Sequence, residues 1–327
     1  SSNPPFIGAY SGIGGLVRGQ EVYQGVAVVG DTGTEPALAA LIRESERMRR
    51  FGVTQAELDR AKSNLNKAYQ QAFSERDKSQ SANYAQAYIR HFLEQAPIPG
   101  AELELAYANQ LLPVIGLEEV NTYAAKWIPE NGNTLLALVA PDKTNYSLPD
   151  PAALTAQLSK AYKQQVTAYT EKIISTQLLT ESPTPGRLLS SAPIPSINLT
   201  TLTFANGTKV LLKPTDFKND EVLLSGFREG GTNGYPIIDR LNADFAASLD
   251  NITGLSTFTP SDLPKVLAGR SVSLNAGIYD TGDTINGRAS AADLESMLQL
   301  LFLQFTAIRH DPALFESFSG KVKPLLA

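Results

Sequence analysis

The feature that most constrains this chain is a run of prolines: Pro183, Pro185, Gly186, Pro193 and Pro195 follow one another closely. Proline lacks a backbone N–H and fixes φ, so neither a helix nor a central strand runs through such a stretch. The polypeptide on each side must bury its own apolar residues. With 327 residues and about 150 residues in an average domain, two units are expected. Hydrophobic residues make up 43% and charged residues 19%, enough to fill two cores and too little charge for a disordered chain.

Periodicity fills in the two units. Val22 to Val29 is rich in β-branched residues and bounded by glycines, so it reads as a strand. Thr34-Glu35-Pro36 opens a helix with the apolar face Leu38, Leu41 and Ile42. Thr54-Gln55-Ala56-Glu57 has the spacing of a capping box, with Leu58, Ala61, Leu65, Ala68, Tyr69 and Ala72 following at helical intervals. Further helices are expected over 81–94, 102–112 and 117–127, then a turn at Asn131-Gly132-Asn133 and a buried strand over 134–140. One long helix is expected from Ala152 to about Leu178, ahead of the proline-rich linker.

Beyond the linker, Asn206-Gly207 supplies a two-residue turn between strands over 201–205 and 209–213. A strand over 222–227, helices over 236–249 and 261–267, and strands over 271–278 and 284–289 come next. A helix starting at Ser290 carries the apolar face Leu294, Met297, Leu298, Leu301, Phe302 and Phe305, and Asp311-Pro312 opens the last one. The expected fold class is α+β: two related modules, each a mainly antiparallel sheet with helices on one face. The units are 1–150, a linker of helix and Pro-rich segment over 151–197, and 198–327.

Composition removes several chemistries. Lys plus Arg is 28 against 33 Asp plus Glu, a net charge of −5 with no basic stripe, so nucleic acid is not an expected partner. No Cys is present, which excludes thiolate metal sites and thiol nucleophiles. The apolar runs fall far short of the roughly 18 residues that a membrane span needs. The chain opens on Ser1-Ser2-Asn3-Pro4-Pro5, without a signal peptide, and stops at Leu325-Leu326-Ala327; the expectation is a piece of a longer protein.

Two histidines remain, His91 and His310. His91-Phe92-Leu93-Glu94 begins an H-x-x-E spacing, but Gln95 stands where a second ligand would be needed. No G-x-S-x-G elbow supports a serine triad. Gly12, Gly14, Gly15 and Gly19 miss the dinucleotide spacing, and Glu229-Gly230-Gly231-Thr232-Asn233-Gly234 lacks the Lys of a phosphate loop.

The order of three segments carries a resemblance. Gly52-Val53-Thr54-Gln55-Ala56-Glu57-Leu58-Asp59-Arg60-Ala61-Lys62, after Glu46-Arg47-Met48-Arg49-Arg50, resembles the second domain of the insulinase/pitrilysin zinc metallopeptidases, in their bacterial periplasmic branch. The hairpin from Leu202 to Thr215 resembles the opening of the third domain, and Ala289 through Glu295 with Leu303 to Arg309 its helix after the sheet. The resemblance implies a clamshell of four related α+β domains whose zinc is held by an H-x-x-E-H motif in a first domain absent here. It implies no cofactor in this chain, with Zn2+ in the missing catalytic domain. The helix over 236–249, in the place of the zinc helix, carries Asp239 and Asp244 and no His.

The implied function is a non-catalytic, chamber-forming and substrate-contacting section of a zinc metalloendopeptidase in the periplasm or cell envelope. Its implied partners are the catalytic domain, the rest of the C-terminal half and an unfolded peptide. A strand edge at Gly14, Gly15, Leu16 and Val17 is the expected peptide contact, because glycine permits close backbone approach; the same glycines could simply bend a strand. The alternative function is a peptide- or protein-binding scaffold of the same fold whose parent has no catalytic activity.

Overall fold

The computed structural model describes residues 5–17, 19–30, 33–128, 134–140 and 148–326. The chain is α+β, with antiparallel sheets and helices in both modules. The first module opens with a hairpin, β1 (Gly8–Val17) and β2 (Gln20–Val28), in which Gly8 pairs with Val28 and Gly14 with Val22. Helices α1 (Thr34–Phe51), α2 (Gln55–Ser74), α3 (Ser81–Glu94), α4 (Ala101–Leu111) and α5 (Leu117–Trp127) follow. One face of the hairpin lies on α1, where the Tyr23 hydroxyl meets Ser45 Oγ at 2.8 Å. The core between the helices uses small residues, Ala37, Ala40 and Ala108, together with Leu58 and Ile128, which lets the helix backbones approach.

The corner between α1 and α2 is over-determined. Glu46 is 1% exposed, and its carboxylate accepts hydrogen bonds from Arg49 Nε at 2.9 Å and Arg50 Nε at 2.7 Å. The Arg49 hydrogen bond leads, and with Arg50 it outweighs burial and holds the Glu46 carboxyl below the usual range. Gly52 turns the chain with φ 66°, and a Cβ there would stand 2.2 Å from the Asn121 amide of α5. That amide binds both sides of Val53, accepting from its N–H at 2.8 Å and donating to its C=O at 3.3 Å. The expected capping box is present: Thr54 Oγ1 accepts from the Glu57 N–H at 3.2 Å while Glu57 accepts from the Thr54 N–H at 2.8 Å.

Two expectations fail around the end of this module. Residues 134–140 form no strand; they run without a ladder, with Leu135 and Val139 each 92% exposed. An apolar run states a capacity for pairing, and pairing itself requires a neighbour's N–H and C=O groups. The expected turn at Asn131–Asn133 falls outside the described residues. The long helix also stops early, as α6 (Pro151–Tyr162) capped by Asp150. Val166, Thr167 and Thr170 are β-branched and poor in helix, and the chain finds partners elsewhere as an irregular strap. Gln164 Nε2 donates to Ala39 O at 2.7 Å, and Arg47 Nε to Thr167 O at 2.9 Å. Leu178 then enters the core of the second module.

The linker is shorter than expected. β3 (Leu188–Ile194) pairs with β4 (Leu199–Phe204), which pairs with β5 (Lys209–Leu212). Pro193 is tolerated because β3 is an edge strand. The β4–β5 loop has three residues, not two: Phe204 N–H donates to Thr208 O at 2.9 Å, Gly207 N–H to Phe204 O at 3.0 Å, and Gly207 has φ 88°. This is a type I turn closed by a bulge glycine.

A second antiparallel sheet has the order β6-β8-β7, built from β6 (Val222–Glu229), β7 (Val272–Ile278) and β8 (Gly282–Ala289). Between β6 and β7 the expected helix over 236–249 is broken into a 3-10 turn at Ile237–Asp239, α7 (Arg240–Ala246) and α8 (Leu249–Thr253). Ala243 is buried and Phe245 meets the Phe318 ring edge-on at 6.0 Å, but Ile237, Ile238 and Leu241 are exposed, so much of the apolar packing that stabilises most helices is missing. The helix expected over 261–267 is the single turn α9 (Leu263–Val266). Ser290, fully buried, accepts from the Asp293 N–H at 3.2 Å and leads into α10 (Leu294–Thr306), with α11 (Pro312–Leu326) last. Leu178, Leu255, Phe258, Val266, Leu300 and Leu303 form the core.

Candidate functional site

The β1–β2 hairpin presents the least covered backbone of the sequence-predicted site. β2 is the sole neighbour of β1 among the described residues, so the outer edge of β1 has no ladder partner there. Alternation along β1 puts Ser11 toward α1, near the position of a Cβ on Gly25, and Tyr10, Gly12 and Gly14 on the opposite face. A Cβ built at Gly8, Gly12, Gly14 or Gly15 would meet nothing within 4 Å. The ladder shifts register between Gly15, opposite Glu21, and Val17, opposite Gln20, which leaves Leu16 as the extra residue of a bulge. Leu16 and Val17 are each 63% exposed, and Tyr10 and Ile13 add to the open apolar surface.

The structure therefore gathers Gly14, Gly15, Leu16 and Val17 at one end of an exposed edge strand. Such an edge offers main-chain donors and acceptors to another extended chain. Tyr10 and Ile13 were not singled out in the sequence; they lie on opposite faces of β1, and nothing marks them before β1 is known to be a strand.

The other candidates do not assemble. Among the described residues no group of three or more His, Asp or Glu side chains is placed to hold a metal ion. His91 is exposed at the end of α3, its Nδ1 2.8 Å from Ala96 O. His310, Asp239 and Asp244 are exposed on separate stretches. Zinc does not fit this donor set, since a catalytic site takes about three protein ligands. In the Gly230–Gly234 loop, the N–H groups of Gly230, Thr232 and Asn233 donate to the carbonyls of Thr281, Tyr279 and Asp280, so they are not free to cradle a phosphate. Ser290 and Lys67 form a Ser–Lys pair at 3.1 Å, but the serine is fully buried and closed to substrate.

No family model matches the chain. It is 26% identical over 280 residues to a zinc protease PQQL-like protein of Arabidopsis thaliana, covering 85% of this chain and 29% of that one. Its fold aligns with the ferredoxin protease FusC, crystallised as a point mutant in complex with Arabidopsis ferredoxin, at TM-score 0.53 and 18% identity, over 97% of this chain and 35% of FusC. Pitrilysin aligns at TM-score 0.48 and 14% identity, over 98% of this chain and 33% of its own. The chain thus spans under a third of its curated relative. No described helix is long and apolar enough to cross a membrane. The sequence likeness to the zinc protease PQQL-like protein and the fold shared with FusC support the insulinase/pitrilysin-type family for this chain.

Proposed function

We propose that this chain is a non-catalytic section of a zinc metalloendopeptidase that lines the substrate chamber and holds an extended peptide along β1. The observation that carries this reading is the unpaired edge of β1, with Gly14 and Gly15 bare of neighbours and Leu16 and Val17 open to solvent. Main-chain pairing there gives affinity without strong sequence choice, which suits an enzyme acting on unfolded polypeptide. The metal is supplied from outside this chain. Surface area supports the wider reading: the chain exposes 22348 Å2, whereas a compact monomer of its mass, 35.2 kDa, exposes roughly 13,000 Å2. The excess is surface suited to cover by further domains.

Fluorescence anisotropy with an unstructured peptide of about ten residues, long enough to span a strand, tests the proposal. The peptide binds, and its analogue with N-methylated alternate amides, which cannot form a ladder, does not. Equal binding of the two peptides, or none of the first, overturns the β1 assignment. Equilibrium dialysis tests the non-catalytic assignment separately: the chain takes up no stoichiometric zinc at nanomolar concentration, and a tight site would refute it.

A further inference from the structure

Helix α10 is apolar on more sides than the fold uses. Met297, Leu300 and Leu303 are buried, the last two in the core of the second module. Leu298, Phe302 and Phe305, which the sequence assigns to the same apolar face, stay open to solvent, Leu298 at 47% and Phe302 at 38%. A helix that is apolar most of the way round is expected to be covered on those sides too. The strap covers part of it. Leu178 enters the core beside Leu300 and Leu303, and Arg270 ties the strap to α10 by donating to Thr176 O at 3.4 Å and to Ser296 Oγ at 3.0 Å. Beyond Leu178 a cleft of about 250 Å3 opens between strap and helix, with Leu179 and Pro183 on one wall and Leu298 and Phe302 on the other.

Two carboxylates stand among these apolar groups, Glu181 from the strap and Glu295 from α10. Glu295 Oε1 accepts from Gln299 Nε2 at 2.9 Å, and neither carboxylate forms an ion pair with another described residue. This lining selects its occupant. A purely apolar ligand would strip water from two charges and pair neither, and an anion would be repelled. Among the described residues no third His, Asp or Glu joins them to hold a metal ion. The volume lies below the roughly 300–1,000 Å3 of pockets that enclose a drug-sized molecule, so the cleft suits one long side chain. Lysine and arginine both carry an apolar stem and a cationic head. Arginine fits better, because its planar, weakly hydrated guanidinium can meet two carboxylates at once and stack on an aromatic ring such as that of Phe302.

We propose that this cleft is a docking socket for an arginine presented by a partner polypeptide, its guanidinium between Glu181 and Glu295 and its stem against Leu179, Leu298 and Phe302. The socket uses no residue of β1 and holds whether or not β1 binds a peptide.

A labelled pentapeptide with one arginine between leucines, and its analogue with citrulline, which keeps the shape and loses the charge, test the socket by fluorescence anisotropy. Both peptides offer the same backbone, so binding along a strand edge cancels in the ratio of their affinities. The parent chain prefers the arginine peptide by about fivefold or more. Combining Glu181→Gln with Glu295→Gln brings the ratio close to one, with far-UV circular dichroism unchanged. Combining Glu118→Gln with Glu119→Gln on α5, both exposed, changes the net charge equally and leaves the ratio at the parent's value. Failure of the arginine peptide to bind, or equal affinity of the parent for both peptides, overturns the socket. So does a preference that survives in the first double variant or disappears equally in the second, which would reduce it to attraction by a negatively charged surface. If the first double variant loses its helix signal, Leu298→Lys, which places a cation in the cleft from an exposed position, decides instead. Loss of the preference there supports the socket, and its persistence overturns it.

Discussion

In the β6-β8-β7 sheet, a Cβ at Gly287 would stand 2.7 Å from Met297 Sδ and 3.0 Å from Leu274 Cδ1, and one at Gly226 would stand 2.6 Å from Ile285 Cγ2. In the β1–β2 hairpin, a Cβ at Gly12, Gly14 or Gly15 would meet nothing within 4 Å. The second module uses glycine because its own side chains leave no room: Met297 of α10 comes down onto Gly287, and Ile285 of the neighbouring strand covers Gly226. The first module has the room and leaves it empty. Glycine in a strand costs roughly 0.5–1 kcal/mol relative to alanine, and nothing in the packing of β1 offsets that cost. The glycines of one sheet are explained by its own fold; those of the other point to something outside it.

The largest expected effect tests the packed half of this comparison. Met297 is fully buried, and Met297→Ala costs about 2–5 kcal/mol from lost burial and the cavity left behind, read as a lowered urea midpoint. A cost under about 1 kcal/mol, the size of an ordinary surface change, would mean that α10 does not hold this sheet. Gly287→Ala is next, at about 1–3 kcal/mol from overpacking. The two are coupled, because the truncated side chain makes room for the new methyl group. A double-mutant cycle therefore gives less than the sum, and simple additivity would separate Gly287 from Met297.

Acid acts on the packed module through Asp293. Burial works against its carboxylate, but Lys67, Ser290 and the Ser271 N–H together hold its pKa below the ordinary range. A depressed carboxyl stabilises the fold fully above the unfolded value of about 3.9 and loses that contribution as pH falls through the folded one. Urea midpoints therefore drop below about pH 4, and they drop less in Lys67→Met, which has less depression to lose. An identical acid limb in the two proteins would remove Lys67 from this role. Asp250 shifts the other way: desolvation raises its pKa, and its Oδ1 is buried without a partner. Asp250→Asn accordingly raises Tm at neutral pH, by less than the acid effect, and a lowered Tm would show that the charge is wanted.

The same contrast governs what could be read from sequence. Helices whose ends carry local chemistry were legible: α3 and α5 lie where spacing puts them, and Thr54 and Glu57 form their box. Elements that depend on a distant partner were not. Residues 134–140 have a strand's composition and no ladder, the helix over 236–249 buries Ala243 but leaves Ile237, Ile238 and Leu241 of its apolar face in solvent, and the strap over 163–187 leaves helical geometry to bond with Ala39 and Arg47. The seam between the two modules was hidden for a related reason. Asn64, Lys67, Gln71 and Glu75 make an ordinary solvated stripe until a second module supplies Gly269, Asp293, Ser271 and Asn219. Gly14 to Val17 could be named as an edge, but that β1 is ten residues long and bulged at Leu16 came from the pairing with β2.

The smallest expected effect on stability bears on the open half of the comparison. Gly12→Ala and Gly14→Ala have room for the added methyl group and no positive φ to oppose it, so each leaves stability unchanged or raises it by up to about 0.5–1 kcal/mol. If the empty positions serve a backbone that comes close, a larger side chain there obstructs it. Gly14→Val then weakens the anisotropy-detected peptide by about fivefold or more, close to 1 kcal/mol, while the urea midpoint stays at or above that of the parent. A loss of stability together with affinity would show that Gly14 is needed by the hairpin itself, and the difference between the two sheets would disappear. Unchanged affinity would keep the difference but move the peptide to another part of the edge, where Leu16→Glu and Val17→Glu, both on exposed side chains, locate it by the same measurement.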